Sequence, residues 1–344
     1  MKQAKNILAA AALLALPIAF TSCEDVLGHW EKPVPATPVA TTEEPAVVAA
    51  ADQYLEWSTT DNKLVAQDIP TGYVSMTDGL TPWNGNYIVE SDVTISTDVS
   101  ISGDVNIILK DGYTLTVKGH VDGNHKLCIF AQNSDATAAG KLVIAPTSMA
   151  GSASSALSVS ELQIHGGDIT ATGHDNSSAD GDDGLKTSGK MFFYAGKVTA
   201  KGGSATGGSG NGGIGINCNG VECHIYKAEV TATGGNSTPG SGGNGIACGG
   251  SGYEPALTID GGIVKATAGD GTFSYGVHSL IYVNSGEFYA HGNSSGKGVR
   301  GPLYWNASLI AEGGNTDAYG TVIDNSNNDN HSIDAITYRY VRVK

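Results

Sequence analysis

The chain is poor in charge. Only 15% of its 344 residues are Asp, Glu, Lys or Arg, and aromatics make up 7%. Cysteine is scarce too, with five residues and no CxxC pair. Five cysteines over this length do not make the disulfide framework of small secreted domains, and the missing CxxC argues against a structural zinc site. Cations are the rarer charge: 19 Lys and Arg stand against 34 Asp and Glu, a formal charge of −15. That balance disfavours nucleic acid as a partner, since phosphate binding needs Lys and Arg. It suits an exported, soluble protein and can attract cations. No stretch beyond the leader carries a 3.6-residue apolar stripe, so helices are not expected. What the chain has in quantity is glycine, 48 residues, and β-branched residues in regular alternation, which argues against disorder.

The first 22 residues read as a lipoprotein signal peptide. Lys2 and Lys5 open it, and an apolar stretch over 7–20, too short to span a bilayer comfortably, leads to Phe20-Thr21-Ser22-Cys23. Small residues before a cysteine resemble a lipobox, with Cys23 as the lipidated first mature residue. Removing the leader takes away two positive charges and brings the formal charge from −15 to −17. Glu24 and Asp25 follow at once. Acidic residues there resemble the surface-export signal of some Gram-negative lipoproteins, which implies the outer face of the outer membrane. Residues 23–51 form a tether in which Pro33, Pro35, Pro38 and Pro45 favour extended chain. Residues 52–86, irregular and carrying Trp57 and Trp83, are expected to cap the β-rich region that begins at residue 87.

From residue 87 the alternation is almost unbroken. Val93, Ile95, Val99, Ile101, Val105 and Ile107 share one parity, while Ser, Thr and Asp take the other. This is period-two β structure with one buried face. Then a motif repeats: LQIHGGDITATG, MFFYAGKVTAKGG, CHIYKAEVTATGG, LTIDGGIVKATAG and IYVNSGEFYAHG. Each copy is a short alternation, a small-residue corner, a second alternation ending in Ala, and a glycine loop. The anchors Ile169, Val198, Val230, Val264 and Phe288 recur at steps of 29, 32, 34 and 24 residues. Equal motifs at unequal steps are the mark of stacked coils whose loops vary. A third strand follows a glycine at Leu185, Ile216, Ile246, Val277 and Val299. The prediction is an all-β, right-handed, single-stranded parallel β-helix over 87–344, a solenoid with an N-terminal cap and with TYRYVRVK as a C-terminal capping strand. A β-sandwich is the rival fold, but it would not repeat one motif five times.

Parity then assigns faces. Ile164, Phe193, Ile225, Ile259 and Val283 should point inward, as should the alanines 171, 200, 232, 266 and 290. Cys218 and Cys248, one coil apart, should be stacked neighbours in the core, acting as buried thiols, with a disulfide between them as the alternative. The opposite parity of the first strand faces solvent and carries Phe192, Tyr194, Tyr226, Tyr282 and Tyr304. Aromatic faces on a rigid sheet suit sugar rings, whose C–H faces are apolar and whose edges take hydrogen bonds. The bland alternative is that a loop covers these rings or that they only stabilise the sheet. Asp180, Asp182 and Asp183, on a glycine-flexed turn, are a candidate calcium site. Catalysis finds little support. Other carboxylates are scattered, and a uronate lyase would need a base such as Lys186 beside calcium at the acidic turn.

The run from SDVTISTDVSISGDVNIILKDGYTLTV through GGDITATG and GDDGLKT resembles secreted and surface β-helix proteins of gut bacteria, many described as adhesin-like. It is also similar to calcium- and pectin-binding β-helix lipoproteins of cellulose-degrading bacteria. The resemblance covers about 87–312. It implies calcium at Asp180, Asp182 and Asp183 and a polysaccharide partner, although the later coils keep the glycines and lose the acids. The function expected is non-catalytic binding of a glycan or host surface by a lipid-anchored surface protein. The alternatives are a polysaccharide-degrading β-helix enzyme and a structural surface protein without a small ligand.

Overall fold

The computed structural model describes residues 46–148, 155–218, 222–249, 257–315, 319–323, 331–332 and 337–344. The signal peptide, Cys23 and most of the tether expected over 23–51 lie outside the described residues. The described residues hold 29 strands and no α-helix. Most strands pair in parallel, and the pairing follows the repeat. Three ladders run along the chain, each made of one strand from every coil.

The first ladder passes from Lys126–Ala131 through Glu161–Ile164, Met191–Phe193, Cys223–Ile225 and the start of Leu257–Thr267 to the start of Ile281–His291 and Leu303–Trp305. The second contains Thr114–Val117, Lys141–Ile144, Asp168–Thr172, Lys197–Lys201 and Glu229–Thr233, then the later halves of the two eleven-residue strands. The third runs from Val121–Asp122 through Ser155–Val159, Asp183–Thr187, Ile216–Cys218, Ile246–Cys248 and Val277–His278 to Val299–Arg300. The ladders run open from coil to coil and do not close into a barrel. The arrangement is compatible with a β-solenoid.

Ile169, Val198, Val230, Val264 and Phe288 are register partners in unbroken succession, and all five are fully buried. The inward positions read from parity are buried without exception: Ile164, Phe193, Ile225, Ile259 and Val283, with the alanine file of the second ladder beside them. Each fully buried aliphatic side chain contributes about 1.5–3 kcal/mol. Period-two patterning therefore sets the register, because a slip of one residue would turn this whole file outward.

Glycine serves two purposes. At the corner between the first two ladders, Gly167, Gly196, Gly262 and Gly286 have positive φ. In the loops after the second ladder the need is different: two backbones touch. The N–H of Gly203 donates to Asp182 O, Gly213 to Gly203 O, Gly235 to Gly213 O, Gly243 to Gly235 O and Gly269 to Gly243 O, all within 2.7–2.9 Å. This zigzag pinches each loop at its neck and joins it to the next. A Cβ on Gly243 would lie 1.8 Å from Gly213 O, so no side chain fits.

The stretch expected to cap the first coil splits into two parts. Val74–Ser75 and Trp83–Val89 extend the parallel ladder at its start, with Met76 and Trp83 in the core. The hairpin of Gln53–Ser58 and Lys63–Asp68 instead lies against the flank, where Leu55 pairs antiparallel with Ala131. The physical reason is the file of aromatic rings that this flank presents, on which Tyr54 and Trp57 of the hairpin pack. At the other end, Tyr340–Val343 pairs antiparallel with Ile281–His291 and with Ala311–Gly314.

Candidate functional site

The outward parity of the first ladder forms two columns. In one, Gln163, Phe192, His224, Thr258, Tyr282 and Tyr304 are successive register partners. In the other, Phe130, His165, Tyr194 and Tyr226 stack at centroid separations of 4.6, 4.6 and 5.1 Å. Parallel strands lie about 4.8 Å apart, so rings at one register position are held in contact by the backbone itself. The two columns touch side by side, since Phe192 and Tyr194 lie 5.7 Å apart with planes 4° from parallel.

The columns meet different fates. Trp57 of the flank hairpin stacks on Tyr194 at 5.9 Å and 19°, and leans on Tyr226 at 5.6 Å. Its backbone N–H donates to His165 Nδ1 at 3.0 Å, and Tyr54 packs edge-on against Phe130. Tyr194 is thereby 7% exposed, so this ring, singled out by parity as solvent-facing, is covered in the folded chain. Parity places it on the outside of the sheet, and the hairpin then buries it. Burial first, with Tyr226, Cys128 and Glu161 nearby, pushes the Tyr194 hydroxyl up to about 12. Burial, aided by Lys126, pushes His165 down to about 3, so the imidazole is neutral. A neutral ring accepting from Trp57 at Nδ1 carries its proton on Nε2, which faces Gln163 Oε1 at 3.4 Å.

The first column stays half-exposed at Phe192, His224, Tyr282 and Tyr304. Tyr282 and Tyr304 are 4.6 Å apart and 5° from parallel. Thr258 interrupts the rings and leaves a step between His224 and Tyr282. Polar groups flank the column. Glu222 pairs with Lys190 at 2.9 Å and lies 3.6 Å from His224 Nε2, and its carboxyl is held below the ordinary range chiefly by Lys190. Asp260 accepts from Asn284 Nδ2 at 2.7 Å. Sequence reasoning named Phe192, Tyr282 and Tyr304 of this column as binding residues, left His224 out of that set, and missed Trp57 as the cover of the neighbouring column. The register position of His224 was readable; the contact made by Trp57 had no repeat to signal it.

The acidic turn is built differently from a metal site. Asp180 Oδ1 accepts from the Asn211 N–H, and Asn211 Oδ1 accepts in turn from Ser241 N–H one coil on. Asp183 accepts from the Ile214 N–H and from Asn217 Nδ2, both at 2.7 Å. Asp182 Oδ2 lies 3.1 Å from Nε2 of the buried His120, whose Nδ1 lies 3.2 Å from Asp98. Each carboxylate is turned to a separate partner, and among the described residues the three do not gather around one point. Burial raises the Asp183 carboxyl, against its own hydrogen bonds. This donor set does not fit a calcium ion, which takes six or more converging oxygens. Asn211 does the same job as Asp180 in the following coil. Lys186 lies on the outer face of the third ladder, beside a shallow groove lined by Asp122, Asn124, Ser158 and Ser188, away from the ring columns.

Among the described residues no helix is long and apolar enough to cross a membrane. No family model, curated protein or solved structure matches this chain.

Proposed function

We propose that this protein is a lipid-anchored surface β-helix, right-handed and capped at its N-terminal end, that binds glycan without catalysis. The binding strip is the column Phe192, His224, Tyr282 and Tyr304. The observation that carries the reading is the parallel, half-exposed pair Tyr282 and Tyr304, 4.6 Å apart on a backbone that cannot let them separate. Rings held on a rigid sheet contact the C–H faces of sugars without losing conformational freedom on binding. Glu222, Lys190, Asp260 and Asn284 offer hydrogen bonds to sugar edges. Tyr226, leaning under Trp57, forms the border of the strip, and Tyr194 supports it from beneath the hairpin.

The reading is tested by a glycan array probed with the soluble chain lacking its leader, including uronate-rich plant polysaccharides, bacterial capsules and host glycans. Tyr282→Ala and Tyr304→Ala should each weaken binding about tenfold or more, the loss expected of a central aromatic contact. Affinity unchanged in both variants, or silence across the array, overturns the proposal.

A further inference from the structure

Inside the core, on the opposite side of the first ladder from the rings, three thiols converge. Cys218 and Cys248 are register partners in the third ladder, and Cys223 opens the next strand of the first. All three are free and essentially inaccessible to solvent, at 0%, 0% and 1% exposure. Their Sγ atoms lie within 4.8 Å of one another. Met191, the register partner of Cys223 one coil earlier, places its Sδ 3.9 Å from Cys218 Sγ. Two files of the solenoid core thus bring four sulfurs to one place: Cys218 and Cys248 from one side, Met191 and Cys223 from the other. A single buried cysteine is an ordinary small filler. Three of the four described cysteines meeting a thioether is a donor set.

We propose that Cys218, Cys223 and Cys248 bind one Cu(I) ion. Metal–sulfur bonds of about 2.3 Å in a trigonal plane put the sulfurs about 4 Å apart, inside the spacing present here. The sulfur-only donor set selects a soft ion. A structural zinc ion would require a fourth strong ligand, and among the described residues the other sulfur donor at this place is a thioether. Each thiol that ligates does so as the thiolate, so its proton leaves to solvent as the ion enters. No electron is transferred. Because the sulfurs are sealed in the core, the ion is taken up as the chain folds.

The test uses the full chain, reduced and unfolded without oxygen, then refolded with Cu(I) delivered from a colorimetric chelator. One ion should remain per chain after gel filtration, with thiolate-to-copper absorption in the ultraviolet and only sulfur neighbours in copper X-ray absorption. The Cys23→Ala/Cys128→Ala double variant should bind like the parent. Cys218→Ala and Cys248→Ala should each lose stoichiometric binding while keeping the β circular dichroism spectrum. If either variant fails to fold, the sulfur count in the double variant decides the matter alone. Exclusion of Cu(I) from the refolded chain, retention by Cys218→Ala, or a Cys218–Cys248 disulfide in the protein as produced overturns the proposal.

Discussion

Removing Trp57 should open the flank hairpin and leave the coils standing. Trp57 is 5% exposed and holds three contacts at once: the Tyr194 stack, the lean on Tyr226, and its backbone bond to His165. Truncating a buried tryptophan to alanine costs about 3–5 kcal/mol. The hairpin's other anchors are the single Leu55–Ala131 pairing, the Tyr54 cluster with Phe130, and Gln132 Nε2 donating to the carbonyls of Ala50, Ala51 and Gln53. The loss therefore falls on this local unit, while the ladders keep their own registers. Trp57→Phe should behave quite differently. The indole Nε1 is buried with no partner, and such an orphan donor costs about 1–3 kcal/mol. Phenylalanine gives up area but also removes that donor, so most of the loss is offset. Amide hydrogen exchange over Gln53–Ser58 reads hairpin opening directly. Spectrophotometric titration reads Tyr194, whose hydroxyl should fall from about 12 toward its ordinary value once solvent reaches it. Equal protection in Trp57→Ala and parent, or equal damage from Phe and Ala, would refute the reasoning.

Two further outcomes are expected. His165 titrates near 3 when folded and near 6.5 when unfolded, so the unfolded chain binds more protons in between. Its contribution is whole above about pH 6.5 and is lost as pH falls toward 3, amounting to roughly 3 kcal/mol at pH 4. Urea titrations at pH 7 and pH 4 should show a smaller loss in His165→Gln than in the parent, and an identical loss in both would sink the assignment. Gly243→Ala should destabilise by about 3 kcal/mol or more, beyond ordinary overpacking, because its Cβ would meet Gly213 O. A thermal melt matching the parent would mean the loop necks are not in contact.

The coils were legible because each side-chain position is written five times. One copy of Ile-Thr-Ala-Thr proves little, but the file from Ile169 to Phe288 states strand, face and register together. The flank hairpin is written once. Nothing in Gln53–Ser58 says whether Trp57 will sit over an end or a side, since that depends on the rings brought together only after the coils form. The acidic turn is a related case. Asp180 looks like a ligand in isolation, yet its oxygen receives a backbone N–H of the next coil, and Asn211 shows the same geometry without charge. Gly203, Gly213, Gly235 and Gly243 have no positive φ and are required by contact between main chains.

The pinched necks also decide where this architecture can change. Between Gly203 and Gly213, and again between Gly235 and Gly243, the excursion closes on itself through one backbone hydrogen bond. Residues added beyond that closure lengthen a lobe without disturbing the strands on either side of it. Divergence in surface chemistry can thus accumulate in the lobes while the scaffold stays fixed.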